Sequence, residues 1–368
     1  MGKKSINTVY YRKIDCGQKK QLLKPLICHI NLARGYRGGE RQTELLIRAL
    51  HDLGYRQRLI ARAGEPLLAR MRTLPGLECT AARPPFLSRI VACRGATLVQ
   101  VHEAKGGYLA SVARSLYGIP YVITRRTHKP PRVTTRNRRL YANAAAVVTV
   151  SAMIADVLSS LGLCKKAELI ADARSDLPVD AVAVAAIRNR FAGKFLLGHA
   201  AALYDEGKGQ SVLIEAMRLL ADELPNLQLL FMGSGQDELM LKNAASDLNN
   251  VSFEGFTDRL GDYFAALDMY VHPSRREGLG SVLLDAMQAE LPIIASCVGG
   301  IPEIIDDHVN GLLVPAGNAR VLADMILRLY ADTDLSRALA QRGKACAEQY
   351  TSEIMAHKYA QLYQALSA

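Results

Sequence analysis

Short apolar runs that alternate with longer segments of helical periodicity are the feature that most restricts how this sequence can fold. Runs typical of strands cover 25–32, 57–62, 97–103, 120–125, 146–151, 194–203, 227–233, 251–255, 269–274, 292–296 and 311–315. Helix-like segments such as 41–54 and 210–225 lie between them. This alternation favours parallel sheets covered by helices on both faces. The sequence therefore predicts an α/β protein with two Rossmann-like domains that face each other across a cleft.

The domain boundary is predicted near 165–180, where the segment ADARSDLPVD interrupts the periodicity. A length of 368 residues suits two domains. We place an N-terminal domain at 25–170, a C-terminal domain at 171–350 and, at 351–368, a helix that packs back on the N-terminal domain. Residues 1–24 are basic and polar and lack the apolar region of a secretory signal, so we expect a disordered tail there.

Composition excludes several classes of protein. With 49% apolar and 22% charged residues, the chain can form hydrophobic cores. No apolar run reaches the roughly 18 residues that a membrane span needs. The seven cysteines are scattered without a Cys-x-x-Cys pair, which argues against a disulfide framework or a zinc site and favours the reducing cytoplasm.

Positive charge is concentrated in the N-terminal half. Residues 1–150 carry 28 Lys and Arg against 7 Asp and Glu, a formal charge of +21, whereas the remainder carries −10. The densest group is Arg125, Arg126, Lys129, Arg132, Arg136, Arg138 and Arg139. Such a domain attracts nucleic acid, an anionic membrane surface or a phosphorylated substrate, although a solvated surface is the alternative. Because tryptophan and nucleic-acid-binding motifs are absent from the sequence, we favour a membrane surface and expect no nucleic acid.

Residues that directly follow predicted strands are the candidate ligand contacts, because Rossmann-like sheets bind ligands at the carboxyl ends of their strands. Gly38 and Gly39 precede a helix, whose N-terminus favours an anion; a plain tight turn is the alternative. His102 follows the run TLVQV, where an imidazole can accept a proton or bond a hydroxyl; a structural histidine is the alternative. Lys208, next to Gly209, offers a point charge that suits a diphosphate.

The most informative part of the chain is the stretch HPSRREGLGSVLLDAM, in which a strand ends in a glycine-flanked turn and a helix follows. The amides of Gly278, Leu279 and Gly280 can face an anion. The carboxylates of Glu277 and Asp285 can accept hydrogen bonds from hydroxyl groups. This combination suits a nucleotide-sugar. Taken singly, Glu277 is also explained as a helix-start acid and Asp285 as a solvated helix residue.

At these residues the chain resembles the family-4 retaining glycosyltransferases of the GT-B fold. Glu277 and Asp285 are similar to the family's Glu-x7-Glu motif, with Asp in the second position. Other segments similar to the family lie at 38–40, 208–209, 213–216, 299–303 and 310–315. Within the family, Gly38, Gly39, His102 and 124–126 resemble bacterial enzymes that build lipopolysaccharide core or similar envelope glycans.

The resemblance implies a role for each of these residues. Lys208 would neutralise the leaving diphosphate and Asp285 would hold the ribose hydroxyls. The catalytic residues would be His102, on the acceptor side, and Glu277, at the transferred sugar. The donor-binding residues would be Gly38, Gly39, Lys208, Gly278, Leu279, Gly280 and Asp285. The acceptor or membrane side would include Lys105, Arg125, Arg126 and Lys129.

The family generally needs no metal ion, so we expect no metal site and no cofactor; the UDP- or GDP-linked sugar is a substrate. The Asp-x-Asp sequence at 332–334 is accordingly interpreted as a helix cap. Two residues depart from the family: Ala202 replaces an Arg of many relatives, and Asp285 is one methylene shorter than Glu. The candidates to replace the missing cation are Arg34, Arg37, Arg275 and Arg276.

The leading hypothesis is a retaining, metal-independent hexosyltransferase that moves a sugar from a nucleotide-diphosphate-sugar to a glycolipid acceptor, such as lipopolysaccharide core. Its basic N-terminal domain would hold it at the cytoplasmic face of the inner membrane. The alternatives are a nucleotide-sugar epimerase, a transferase to a soluble sugar, and a catalytically weak nucleotide-sugar-binding protein at the membrane surface.

Overall fold

The computed structural model describes residues 24–367, and its two parallel sheets confirm the predicted α/β fold. The tail predicted at 1–24 lies outside the described residues, except for Lys24. No helix in the described part of the chain has both the length and the hydropathy that crossing a bilayer requires.

The N-terminal sheet has seven parallel strands. They are β1 (Leu26–Asn31), β2 (Arg56–Arg62), β3 (Glu78–Ala82), β4 (Leu98–Val101), β5 (Tyr121–Arg125), β6 (Ala146–Thr149) and β7 (Glu168–Leu169). Their order is β3-β2-β1-β4-β5-β6-β7. The sequence did not predict β3 and β7. Both are edge strands; β3 is only partly buried and β7 consists of two exposed residues, so neither carries a clear apolar pattern.

The C-terminal sheet has six parallel strands. They are β8 (Phe195–Ala200), β9 (Leu227–Met232), β10 (Val251–Gly255), β11 (Met269–His272), β12 (Ile293–Ser296) and β13 (Leu312–Val314). Their order is β10-β9-β8-β11-β12-β13. In each sheet the order of strands reverses beside the first strand, between β1 and β4 and between β8 and β11. Such reversal points create the crevice in which doubly wound sheets bind ligands.

Helices cover both faces of each sheet. In the N-terminal half they are α1 (Gly38–Asp52), α2 (Pro66–Met71), α3 (Ala104–Tyr117), α4 (Thr135–Ala142) and α5 (Ala152–Ser160). The next ones are α6 (Ala181–Arg190), α7 (Asp205–Lys208), α8 (Gln210–Leu219), α9 (Glu238–Ala244), α10 (Leu260–Ala266) and α11 (Ser281–Gln288). The last are α12 (Ala319–Ala331), α13 (Thr333–Ala347) and α14 (Ser352–Ser367). Short 3₁₀ helices lie at Phe86–Cys93 and Ile301–Glu303. Asp332 accepts a hydrogen bond from the amide of Leu335, so it caps α13 as the sequence predicted.

The C-terminal helix α14 packs against the N-terminal sheet. Its Tyr359 and Tyr363 are fully buried in one cluster with Ile27 of β1 and Leu46 of α1. The hydroxyl of Tyr363 donates to Gln100 Oε1 over 2.9 Å, which satisfies the polar end of this buried ring. The helix therefore belongs to the core of the N-terminal domain although it follows the C-terminal domain in sequence.

The chain crosses between the two domains twice, and the two crossings touch each other. The first leads from β7 to α6, and the second precedes α14. The amide of Arg174 in the first donates to the carbonyl of Tyr350 in the second over 2.7 Å. The Arg174 guanidinium also lies 3.2 Å from the Glu348 carboxylate.

Candidate functional site

The N-termini of two helices face each other across the cleft between the domains. Helix α1 begins at Gly38, after β1, and α11 begins at Ser281, after β11. A Cβ atom on Gly38 would lie 4.0 Å from the Ser281 hydroxyl oxygen. Because the N-terminus of a helix carries partial positive charge, both helix ends favour an anion in this space.

Glu277 and Lys208 form an ion pair beside these helix ends. Glu277 lies in the turn after β11, and Lys208 is the last residue of α7, after β8. The Lys208 ammonium donates to Glu277 Oε2 over 2.5 Å. The same oxygen lies 3.1 Å from His272 Nε2 and 3.4 Å from the Ser274 hydroxyl. The structure thus brings together two predicted site residues that are far apart in sequence.

The ion pair keeps Glu277 ionised. Burial raises the pKa of this carboxyl, but the charge of Lys208 and the hydrogen bond from His272 outweigh burial and hold the pKa well below its ordinary value. The side chains of Glu277 and Lys208 remain 15% and 25% exposed. The cleft therefore presents a paired carboxylate and ammonium, both partly exposed, to a ligand.

The glycine turn after Glu277 lies against the N-terminal domain. A Cβ atom on Gly278 would lie 2.2 Å from the carbonyl oxygen of Arg126, so only glycine allows this approach. Gly280 adopts the left-handed conformation at φ 87° and is the N-cap of α11. The Leu279 side chain is buried in the core, so this residue can offer a ligand only its backbone.

Glu303 makes a second contact between the domains. Its carboxylate accepts hydrogen bonds from the amides of Ala152 and Met153, over 2.8 Å and 3.1 Å. These amides begin α5, so an acid of the C-terminal domain caps a helix of the N-terminal domain. The domains therefore meet in a closed arrangement.

Asp285 is buried on α11, which excludes its interpretation as a solvated helix residue. Its carboxylate accepts from the amide of Ser175 over 2.6 Å and lies 3.3 Å from the Arg41 guanidinium. Burial raises the pKa of Asp285 to about 6, although Arg41 and the Ser175 amide oppose the change. Asp285, Ser175 and Arg41 thus connect α11, the first interdomain crossing and α1.

His102 is buried in a chain of hydrogen bonds that fixes its tautomer. Gln57 Nε2 donates to the Ile47 carbonyl, so Gln57 Oε1 must accept from His29 Nε2, at 2.9 Å. His29 Nδ1 then accepts from His102 Nε2 at 3.0 Å. His102 Nδ1 accepts from the Arg126 guanidinium at 3.4 Å.

Both ring nitrogens of His102 are engaged within the protein in this arrangement. Burial, aided by the charge of Arg126, lowers the pKa of His102 well below its ordinary value. His102 is thus a neutral, oriented imidazole at the end of β4. In this state Nε2 donates to His29, Nδ1 accepts from Arg126, and neither nitrogen is free to accept a proton from a ligand.

Arg126 is separated from the other residues predicted for the acceptor or membrane side. Its side chain is 10% exposed and its Nε donates to Asp172 over 2.8 Å. Arg125 points to the opposite side of the strand end, where it bonds Tyr141. Lys105 and Lys129 are exposed, and Lys129 lies on the same side as Arg125.

The turn at Ala202 shows where a replacement cation would have to act. Ala202 accepts a hydrogen bond from Gln210 through its carbonyl. The amides of Arg275 and Arg276 bond the carbonyl of Gly207, which places both residues beside the Lys208 turn. Arg276 pairs with Glu206 at 2.8 Å. Arg34 and Arg37 are exposed on the other domain.

Several residues of the site were not singled out from the sequence. They are His29, Arg41, Gln57, His128, Asp172 and Ser175. His128 follows β5 and lies within electrostatic reach of Glu277 and Lys208 across the cleft. Only His128 could have been found from the sequence, because it lies between Arg126 and Lys129 of the basic cluster. The others are single polar residues in apolar or loop segments. Within residues 24–367, no three His, Cys, Asp or Glu side chains are grouped as a metal site requires.

Two family models match the chain, one in each domain. The model described as Glycosyltransferase Family 4 matches residues 36–171, and the model described as Glycosyl transferases group 1 matches residues 194–332. The lipopolysaccharide core biosynthesis glycosyltransferase LpsE of Rhizobium meliloti (strain 1021) is 27% identical over 346 residues, which are 88% of this chain and 95% of LpsE.

Other curated relatives match over a smaller share of their length. The phosphatidyl-myo-inositol mannosyltransferase of Mycobacterium leprae (strain TN) is 30% identical over 168 residues, 45% of each chain. The chain spans less than half of the length of several such relatives.

Solved structures share the fold. HepE of Anabaena, in complex with UDP and glucose, has a TM-score of 0.82 at 20% identity, over 93% of this chain and 100% of HepE. Sucrose-phosphate synthase from Thermosynechococcus elongatus has a TM-score of 0.78 at 21% identity, over 93% of this chain and 99% of that one. At these identities the likeness shows the fold alone, which is GT-B.

Proposed function

Because this chain is a family 4-like glycosyltransferase with the GT-B fold, we propose that it transfers a sugar from a nucleotide-diphosphate-sugar to a glycolipid of the bacterial envelope, with retention of anomeric configuration. The observation that carries the proposal is the convergence of Lys208, Glu277 and two helix N-termini on one cleft. This set matches the charges of a donor: cationic groups for the diphosphate and a carboxylate for the sugar.

The donor we propose is a UDP- or GDP-linked sugar. HepE has been solved with UDP-glucose, which supports a nucleotide-sugar in the same fold. The diphosphate would lie between the N-termini of α1 and α11, against Gly38 and Gly39 and the amides of Gly278, Leu279 and Gly280. Asp285, beside the Ser175 amide, would accept hydrogen bonds from the ribose hydroxyls.

Lys208 would drive departure of the diphosphate. In the transition state positive charge develops at the anomeric carbon and negative charge on the leaving diphosphate. Lys208 would exchange its bond to Glu277 for one to the diphosphate, while Glu277 stays ionised near the anomeric carbon. We propose that this cation and the helix N-termini replace a metal ion. Arg275 and Arg276, beside the Lys208 turn, are the candidates for the cation missing at Ala202.

The acceptor side would be the basic N-terminal domain. Its formal charge suits an anionic glycolipid and the anionic lipids around it, since each Lys or Arg near such a surface contributes about 1 kcal/mol. We propose peripheral binding to the cytoplasmic face of the inner membrane. The name of LpsE supports lipopolysaccharide core as the acceptor class. Flotation with anionic liposomes tests the membrane contact, and salt-insensitive recovery away from the vesicles would contradict it.

The test of the function is nucleotide release from a series of nucleotide-sugars, with and without a core-type glycolipid. We expect Lys208→Ala to raise the activation barrier by about 3 kcal/mol, which lowers turnover more than 100-fold, because it removes a hydrogen-bond donor to the transition state. Lys242→Ala is the matched control, because Lys242 is also paired with a glutamate of the C-terminal domain, at 2.8 Å. Near-normal transfer by Lys208→Ala would refute the assignment. Donor conversion without acceptor would favour an epimerase.

A further inference from the structure

A cavity of about 300 Å³ lies beside the cleft, on the side of the N-terminal sheet away from His102. It is bounded by the ends of β4 and β5, by α3 and α4, and by the segment 127–132. Apolar and aromatic side chains form most of its wall, among them Ile123, Pro130, Leu140, Tyr108 and Tyr141. A wall of this kind, mostly apolar with a few fixed polar groups, suits the carbon skeleton of a sugar.

Three cations line this cavity without an acidic partner. They are Arg125, Lys129 and Arg132, and no carboxylate among residues 24–367 lies within 4.0 Å of their charged groups. Glu103 is the acid among the described lining residues. Its oxygens accept from the amides of Leu32, Lys105 and Gly106, so it serves as the N-cap of α3.

Two hydrogen bonds hold Arg125 in place and leave other N–H groups of its guanidinium without a partner among the described residues. Its guanidinium donates to the Tyr141 hydroxyl at 3.3 Å and to the Lys129 carbonyl. Its Nε is buried and has no partner among the described residues. Arg125 lines the cavity, and the guanidinium N–H groups that these two bonds do not use can donate to an anion there.

The segment 127–132 separates this cavity from the donor residues. The carbonyl of Arg126, directly before it, approaches Gly278. His128 lies within reach of the charges of both Arg125 and Glu277. A group in the cavity would therefore lie next to the segment that faces Glu277, yet apart from the space beside Lys208.

We propose that this cavity binds an anionic substituent, a phosphate or a carboxylate, of the sugar that accepts the transferred residue. The inference rests on the proposed function, because it assigns the substituent to the acceptor. A second cavity of about 410 Å³ shares Tyr108 and Leu140 with the first, and the Arg136 guanidinium lies 3.6 Å over the Tyr108 ring. This neighbour extends the groove for the rest of the acceptor.

The test is calorimetric binding of glucose 6-phosphate, glucuronate, glucose and inorganic phosphate to the full chain and its variants. We expect glucose 6-phosphate or glucuronate to bind more tightly than glucose and inorganic phosphate; the tighter of the two acids identifies the substituent. Arg125→Gln and Arg132→Gln should each weaken this binding about tenfold, as loss of a charged hydrogen bond does. Arg138→Gln is the matched control, since Arg138 lies on α4 but lines neither cavity.

The outcomes separate this inference from the proposed function. Equal binding of glucose and the two acids, or wild-type affinity in both Arg125→Gln and Arg132→Gln, would overturn the cavity assignment. Binding of inorganic phosphate as tight as that of the tighter of the two acids would overturn the part of it that concerns a sugar. UDP binding, measured in parallel, reports on the donor site and should be unchanged in both variants. Failure of the wild type to bind any UDP- or GDP-linked compound would refute the proposed function instead.

Discussion

Replacing Asp285 by Asn should change the way in which the stability of the protein depends on pH. Burial raises the pKa of Asp285 from 3.8 to about 6, against the opposing effects of Arg41 and Ser175. The folded protein therefore binds this proton more tightly than the unfolded chain does. The stabilisation that follows is complete below the unfolded pKa and is lost as the pH rises through the folded value.

The size of the effect follows from the pKa values. About two pKa units correspond to about 3 kcal/mol, because each unit is equivalent to about 1.36 kcal/mol. Between about pH 5 and about pH 8, roughly 1.4 kcal/mol of this stabilisation disappears, because most of the folded carboxyl is still protonated at the lower pH. In Asp285→Asn the side chain has no proton to lose, and its amide oxygen can still accept from Ser175.

Urea unfolding measures the difference. Circular dichroism suits this measurement, because the sequence contains no tryptophan. The free energy of unfolding of Asp285→Asn, relative to the wild type, should rise by about 1.4 kcal/mol from pH 5 to pH 8. Titrating groups common to both proteins cancel in this comparison. A difference that is independent of pH would show that Asp285 has an ordinary pKa and that our account of its burial is wrong.

Two further perturbations test the closed arrangement and the histidine chain. Gly278→Ala places a Cβ atom 2.2 Å from the Arg126 carbonyl oxygen, so the two domains should move apart. The radius of gyration from small-angle X-ray scattering should then rise, and sugar transfer should be lost. Unchanged scattering together with full activity would contradict the contact. Gln57→Leu removes the acceptor of the His29 proton, so His102 should lose its fixed tautomer and turnover should fall about tenfold at unchanged UDP affinity. Nitrogen chemical shifts of the His102 ring report the tautomer directly, and an unaltered shift in this variant would count against the chain.

Local patterns were sufficient to predict the architecture. Strands in the middle of each sheet are buried on both faces, so they appear in the sequence as apolar runs, as β1 and β11 do. The strand-end rule selected Gly38, His102, Lys208 and Glu277, and in the structure each of them follows a strand. In a parallel sheet all carboxyl ends lie on the same edge, which is why a rule based on local pattern can select residues from separate parts of the chain.

Contacts across long sequence distances could not be predicted. The bond between Arg41 and Asp285 joins residues 244 positions apart, and that between His29 and His102 spans 73 positions. No pattern in the sequence marks either contact, because each depends on how two domains or two strands are placed in space. For the same reason the sequence grouped Arg125 with Arg126, although neighbouring side chains at a strand end point to opposite faces.

The two touching crossings between the domains define how the cleft can open. With Arg174 bonded to Tyr350, sliding of one domain past the other would break this contact, whereas rotation about an axis through it would not. The pair would therefore act as a double hinge during opening. Asp285 is hydrogen-bonded to Ser175, the residue after Arg174, and so lies close to the axis. The residue proposed to hold the ribose would keep its position during opening, and the nucleoside could be captured before the domains close.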